Sequence, residues 1–349
     1  MMTIQKIKTE RLIEYDILRV LACLMVIIIH SPMPSTHANG LFLSSVSYLM
    51  APCIGIFFMI SGALLLPIKN TESFLKKRFT KILFPTLFWS LFYMLVKVQK
   101  NGFELSVFIQ ELFSIPFSPQ GNGVLWFMYT LSGLYLLSPI LSRWIEHSSQ
   151  KEIRFYLLLW CITLCYPLFE YFLILQKNNT GILYYFSGYI GYYVLGYYLK
   201  KYPSCLSGKV VIPFCVVALL APVLCKVLHF KVDFYSLFWY LSVFTVILSV
   251  SWFYVIGKIK HLVTNKFVKD VILKFSNLSL GIYLVHIFMM RTILWNSDWI
   301  LSIDSYVLQT IMIILGTLVL SFVFCLILSY LPYSDYLIGW CQKKKRRNS

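Results

Sequence analysis

Apolar stretches of about 20 residues recur from one end of the chain to the other, the length a helix needs to cross a hydrocarbon layer roughly 30 Å thick. Ten can be marked, at 16–33, 42–67, 82–99, 124–142, 155–175, 181–199, 210–228, 235–257, 276–294 and 307–331. With 59% hydrophobic and only 13% charged residues, a water-soluble fold could not hide this much apolar surface. Strand-type alternation is absent, so a β-barrel is not expected. The expected fold is all-α: a polytopic integral membrane helix bundle of about ten transmembrane helices. The aromatic segment at 181–199 could instead be re-entrant.

Orientation follows from lysine and arginine, which cytoplasmic loops retain. The N-terminus and every second loop carry them, as in Lys76, Lys77, Arg78, Lys81, Arg143, Lys151, Lys200, Lys201, Lys258, Lys266 and Lys269. The alternate loops hold only Lys97, Lys100, Lys177, Lys226 and Lys231. Both termini are therefore expected in the cytoplasm. The net charge of +17 then reflects topology and attraction to anionic lipid, and no nucleic-acid partner is expected. Residues 1–340 read as one transmembrane domain and 341–349 as a basic cytoplasmic tail, with Lys343 to Arg347 facing lipid. The basic N-terminus and the apolar run at 20–29 do not read as a cleaved signal, because Asp16 and Arg19 interrupt the segment and many spans follow.

The longest polar stretches are 100–123 and 258–275. In the first, Leu105, Phe108, Ile109 and Leu112 recur at helical spacing, so an interfacial helix is expected, followed by a turn at Gly121-Asn122-Gly123. The nine cysteines form no C-x-x-C pair, and Cys161 and Cys165, one helical turn apart, have no nearby histidine, so no metal site is expected.

Ionisable groups inside spans carry the functional information, since hydrocarbon tolerates them only when they are paired or line a polar cavity. They are Asp16, Arg19 and His30 in the first span, Glu170 in the fifth, and His286 and Arg291 in the ninth. Arg19 and His30 are eleven residues apart, three turns plus about 20°, so both project from one face roughly 16 Å apart. One helix thus offers a cation near the cytoplasmic boundary and an imidazole in the outer half. Spacing alone is equally consistent with Arg19 pairing with Asp16 at i,i+3 while His30 hydrogen-bonds a neighbouring helix.

Several longer stretches widen the reading. YDILRVLACLMVIIIH (Tyr15 to His30) resembles the first helix of the membrane acyltransferase 3 family, marked by Arg-x10-His. FFMISGALLL (Phe57 to Leu66), KKRFTKILFP (Lys76 to Pro85), LWFMYTLSGLYLLSPIL (Leu125 to Leu141) and SLGIYLVHIF (Ser279 to Phe288) are similar to later blocks of the same family, in the same order. The resemblance implies a multi-pass protein of the bacterial cell membrane that moves an acyl group, usually acetyl from cytoplasmic acetyl-CoA, onto a hydroxyl of a glycan or lipid-linked sugar. It further implies the short form, without an esterase-like outer domain, nearest to surface-polysaccharide O-acetyltransferases. One block departs from the pattern: the family's Arg-x-x-Arg appears as Arg78-Phe79-Thr80-Lys81, and lysine lacks the bidentate fork that suits a phosphate.

On that resemblance His30 is expected as the base that takes the acceptor's hydroxyl proton, or as an acyl-histidine relay, with Arg19 on the donor side. Arg78 and Lys81 are expected to hold acetyl-CoA at the cytoplasmic mouth. Trp126 is expected to stack on or orient the sugar, and His286 to form a second polar wall. Arg291 is expected to face the interface or an acidic glycan, and Glu170 to reach the depth of His30 and pair with a histidine or Arg291. The alternative is a transporter or exporter that moves a polysaccharide or acyl substrate without covalent chemistry; paired broken helices would favour it, and no such symmetry is visible. Oligomeric state and the acceptor have no readable signal.

Overall fold

The computed structural model describes residues 11–33, 40–119, 123–173, 181–230 and 233–342. Its elements in chain order are α1 (Ile13–His30), α2 (Gly40–Met50), α3 (Pro52–Leu65), α4 (Thr71–Arg78), α5 (Phe84–Asn101), α6 (Leu105–Ser114), α7 (Trp126–His147), α8 (Gln150–Thr163) and α9 (Tyr166–Leu173). They continue with α10 (Ile190–Lys201), α11 (Gly208–Val227), α12 (Phe234–Leu237), α13 (Val243–Ile259), α14 (Lys266–Ile287), α15 (Asp298–Leu301), α16 (Tyr306–Ser329) and α17 (Asp335–Ile338). The described residues contain no strand. The tail at Lys343 to Arg347 and the Gly121-Asn122 part of the predicted turn lie outside them.

Among the described residues seven helical stretches are long and apolar enough to cross a membrane: Ser45–Leu65, Thr71–Lys100, Gly123–His147, Gly208–Val227, Val243–Leu262, Lys266–Asn296 and Tyr306–Ser329. They coincide with seven of the ten predicted spans. The other three predicted spans are also helical but differ in kind. Helix α1 has 18 residues and carries Glu14, Asp16 and Arg19. The predicted span 155–175 is broken by a turn at Leu164 and Cys165 between α8 and α9, with Pro167 in the first turn of α9, where its missing N–H costs nothing. At 181–199 the regular helix begins only at Ile190, leaving α10 with 12 residues.

The lipid-facing helices are inverted relative to those of a soluble protein. On α16 the buried face is Thr310, Ile313, Thr317, Ser321, Cys325 and Ser329, while Val307, Ile311, Leu315, Val319, Val323 and Ile327 point outward. Small and weakly polar residues pack the interior because hydrocarbon provides no incentive to bury leucine. Helix α6 appears where an interfacial helix was expected, and it exposes Leu105, Ile109, Leu112 and Phe113.

The tightest crossing joins α3 to α10. A Cβ on Gly62 would lie 1.7 Å from the Tyr193 carbonyl oxygen, and one on Gly196 would lie 1.9 Å from that of Met59. Each glycine admits the other helix's backbone, which cannot rotate away as a side chain would. Gly62→Val is therefore expected to destabilise the bundle by more than about 3 kcal/mol, seen as a lower melting temperature in detergent. A variant melting with wild type would show that the helices can part without loss.

Helices α1 and α14 run side by side in the same direction, and this pairing organises the interior. From one end to the other, Arg11 donates to Asn277 Oδ1 (2.9 Å), Arg19 to Ser276 Oγ (3.0 Å), and the His30 and His286 rings approach to 5.6 Å between centres. At the starting end Lys260 Nζ, just past α13, bonds Glu14 Oε1 at 2.8 Å. Asn265 caps α14, accepting from Phe267 N at 2.8 Å. That end also carries Arg78 and Lys81, and it is called the basic end below.

Candidate functional site

Arg19, Arg78 and Lys81, which lie on three separate stretches of sequence, line one cavity of about 250 Å³. Lys81 sits within a wide-turn π segment, Phe79–Leu83, that joins α4 to α5. Ser61, Ser276 and Asn277 add hydrogen-bonding groups to the wall, and no carboxylate lines it. Three cations around a space without a carboxylate make a receptacle for an anion. Arg78 lies 5.5 Å from the ring centre of Phe74 and 5.7 Å from that of Tyr135, and its Nε is buried without a hydrogen-bond partner. Lys81 Nζ stands 5.9 Å from the Trp340 ring centre.

Arg19 is held rather than loose. Asp16, only 4% exposed, accepts from Arg11 Nε (2.7 Å) and Nη2 (2.6 Å) and from Ser276 Oγ (2.5 Å), and it lies 3.5 Å from Arg19 Nη1. Two readings of Arg19 that the spacing left open therefore coexist: it pairs with Asp16 and it also lines the cavity. The carboxylate takes its shortest contacts from Arg11 and Ser276, which leaves part of the Arg19 guanidinium for the cavity.

The cavity reaches Tyr283, on the inner part of α14. The Tyr283 hydroxyl donates to the Val124 carbonyl at 2.6 Å, tying α14 to the start of α7. The Tyr283 carbonyl lies 2.5 Å from Nδ1 of His286, whose ring is 5.6 Å from that of Tyr283 and 5.6 Å from that of His30. His286 is 1% exposed, and His30 is half-buried. The cation-lined space thus ends at Tyr283, whose ring adjoins that of His286, which in turn adjoins that of His30. Among the described residues no group of histidine, cysteine and carboxylate could hold a metal ion.

The remaining predicted site residues are dispersed. Trp126 is the first residue of α7, with its ring 5.2 Å from Tyr189 and 5.5 Å from Tyr240 in an aromatic cluster. Arg291 is exposed and lies 5.3 Å from the Trp295 ring centre, in a second π segment, Phe288–Ile293. Glu170 does not reach the histidines: it is exposed on α9 and lines a separate cavity of about 230 Å³ with Thr163, Tyr166 and Ser187. The turn between α8 and α9 interrupts the continuous helix along which its depth is counted. Tyr135, Ser276 and Trp340 have no distinguishing signal in the sequence, whereas Tyr283 stands with His286 in the Tyr-x-x-His spacing of the family-like block at 279–288.

A family model described as an acyltransferase domain matches residues 12–330, covering both histidines and all three cavity cations. The chain belongs to the acyltransferase 3 family. It is a multi-pass membrane acyltransferase built wholly of helices. No curated protein and no solved structure matches it. In this membrane acyltransferase Arg19 and His30 lie on the same helix, α1, Arg19 lining the cavity and His30 ending the helix beside His286.

Proposed function

We propose that this membrane acyltransferase transfers an acetyl group from cytoplasmic acetyl-CoA to a hydroxyl of a surface polysaccharide or lipid-linked saccharide, within the bacterial cell membrane. The observation that carries the reading is the cation-lined cavity that reaches Tyr283, beside the two histidines. CoA phosphates would occupy the space between Arg19, Arg78 and Lys81, satisfying the buried Arg78 Nε. The thioester would extend toward Tyr283. His30 would remove the acceptor hydroxyl's proton as that oxygen attacks the thioester carbonyl, and the departing CoA sulfur would take the proton back. Trp126, Tyr189 and Tyr240 supply aromatic surface on the acceptor side.

In this arrangement the basic end faces the cytoplasm, α1, the α8/α9 pair and α10 complete ten spans, and both termini are cytoplasmic. A purely transporting protein would have no need of an imidazole pair at the end of an anion site.

Two measurements test the reading. Membranes containing the protein should move label from radiolabelled acetyl-CoA into a glycan or glycolipid fraction; flux of a saccharide without covalent label would favour a transporter instead. Arg78→Gln should raise the KM for acetyl-CoA about ten-fold or more while leaving kcat nearly unchanged, since a charge-assisted hydrogen bond is worth about 1.5–3 kcal/mol. Lys269→Gln, an exposed basic residue outside the cavity, serves as the control. Equal KM values for the two variants would return Arg78 to a topological role.

A further inference from the structure

His286 has a protonation pattern imposed by its surroundings. Its Nδ1 lies 2.5 Å from the Tyr283 carbonyl oxygen, and a carbonyl can only accept, so Nδ1 carries the hydrogen. Nε2 then presents a lone pair. That atom is buried and has no hydrogen-bond partner among the described residues, inside a side chain that is 1% exposed. Buried polar atoms are very rarely left unpaired, so an orphan acceptor implies a donor that arrives in the working state.

The neighbouring ring able to supply it is His30. Its centre is 5.6 Å from that of His286, with the planes inclined by 40°. Among the described residues none hydrogen-bonds the half-buried His30 ring. The two rings are therefore adjacent, and the proposed contact requires a reorientation of His30. Such contacts between working groups are commonly long before substrate binds.

We propose that His286 is a positioning residue for His30: its Nε2 accepts a hydrogen bond from one His30 N–H, fixing the tautomer so that the other His30 nitrogen faces the acceptor hydroxyl with its lone pair free. The chain of fixed partners runs from the Tyr283 carbonyl through His286 to His30, a neutral counterpart of the carboxylate that orients the histidine in a hydrolase triad. In the reaction the acceptor O–H bond breaks and its proton goes to the free His30 nitrogen. The acceptor oxygen bonds the thioester carbon, the C–S bond breaks, and the same proton leaves with the CoA sulfur. The proton shared between His30 and His286 stays on His30 throughout. The proposal rests on His30 acting as the base.

Side-chain geometry provides a discriminating test. In His286→Gln the amide oxygen reaches the place of Nε2 and keeps an acceptor there. In His286→Asn the shorter amide keeps a donor for Tyr283 but cannot reach His30. Label transfer from radiolabelled acetyl-CoA into the glycolipid of membranes carrying the full chain should fall no more than about three-fold in the Gln variant. It should fall about 100-fold in kcat in the Asn and Ala variants, with the KM for acetyl-CoA unchanged. Asn activity equal to Gln activity, whether both retained or both lost in folded protein, overturns the proposal.

A second measurement needs no substrate. Nitrogen NMR of histidine-labelled protein should show His30 in one tautomer in wild type and in a mixture in His286→Asn; identical His30 signals in the two overturn the proposal. Failure of acetyl transfer in wild type, by contrast, strikes the donor reading and leaves the NMR comparison to decide the role of His286.

Discussion

Replacing His30 with alanine is expected to lower acyl transfer by about 10²–10⁴-fold, the range that one well-placed general base contributes. The expectation comes from position as much as from residue type. His30 ends α1, half-buried, on the same helix as the cavity-lining Arg19, and the nearby imidazole of His286 is already held by the Tyr283 carbonyl. Because His30 is remote from the cavity cations on its own helix, its loss should leave the KM for acetyl-CoA unchanged while kcat falls. Rates of label transfer in membranes, with the melting temperature measured alongside, check this. A folded His30→Ala protein transferring at the wild-type rate would remove the base from the mechanism, and no other residue of α1 could take its place.

Asp16→Ala is expected to destabilise the protein by about 3 kcal/mol, the order found when one member of a buried ion pair is removed. The carboxylate is 4% exposed and serves Arg11, Arg19 and Ser276 together. Without it two guanidinium groups face each other across the space it held, and Ser276 loses its acceptor. Asp16→Asn keeps an oxygen for one of these donors and should lose less. Since Arg19 also lines the cavity, Asp16→Ala should raise the KM for acetyl-CoA as well as lower the melting temperature. A variant that melts and binds like wild type would mean that Arg11 and Arg19 are held elsewhere.

The sequence made the chemistry of α1 legible because ionisable residues are conspicuous in a hydrophobic span. Arg19, His30 and His286 could each be found that way, and the structure brings the two histidines together from opposite ends of the chain. Tyr135 and Trp340 could not, because aromatic residues make up 17% of the chain and neither differs in type from those that merely pack. Glu170 illustrates a different limit. Its depth was counted along one continuous helix, and the turn at Leu164 and Cys165 ends that count before the residue is reached. Apolarity across 155–175 reports residence in or near lipid, but a single turn in the middle barely changes the composition. The same reasoning separates the seven clear spans from α1, whose three charges lower its hydropathy for the same reason that they make it useful.

The parallel pairing of α1 with α14 also sets a timetable. Helix α1 leaves the ribosome first, and Ser276 and His286 arrive only after more than two thirds of the chain has been made. During that interval α1 must reside in the bilayer without its principal partner. The neighbouring Asp16 and Arg19, with Arg11 one turn before α1 proper, give the nascent helix an internal charge balance while it waits. A translation product arrested before α14 would carry Arg11, Arg19 and His30 but neither Ser276, which bonds Asp16 and Arg19, nor His286. Assembly of the reaction chamber is thereby deferred until nearly the whole polypeptide is in place.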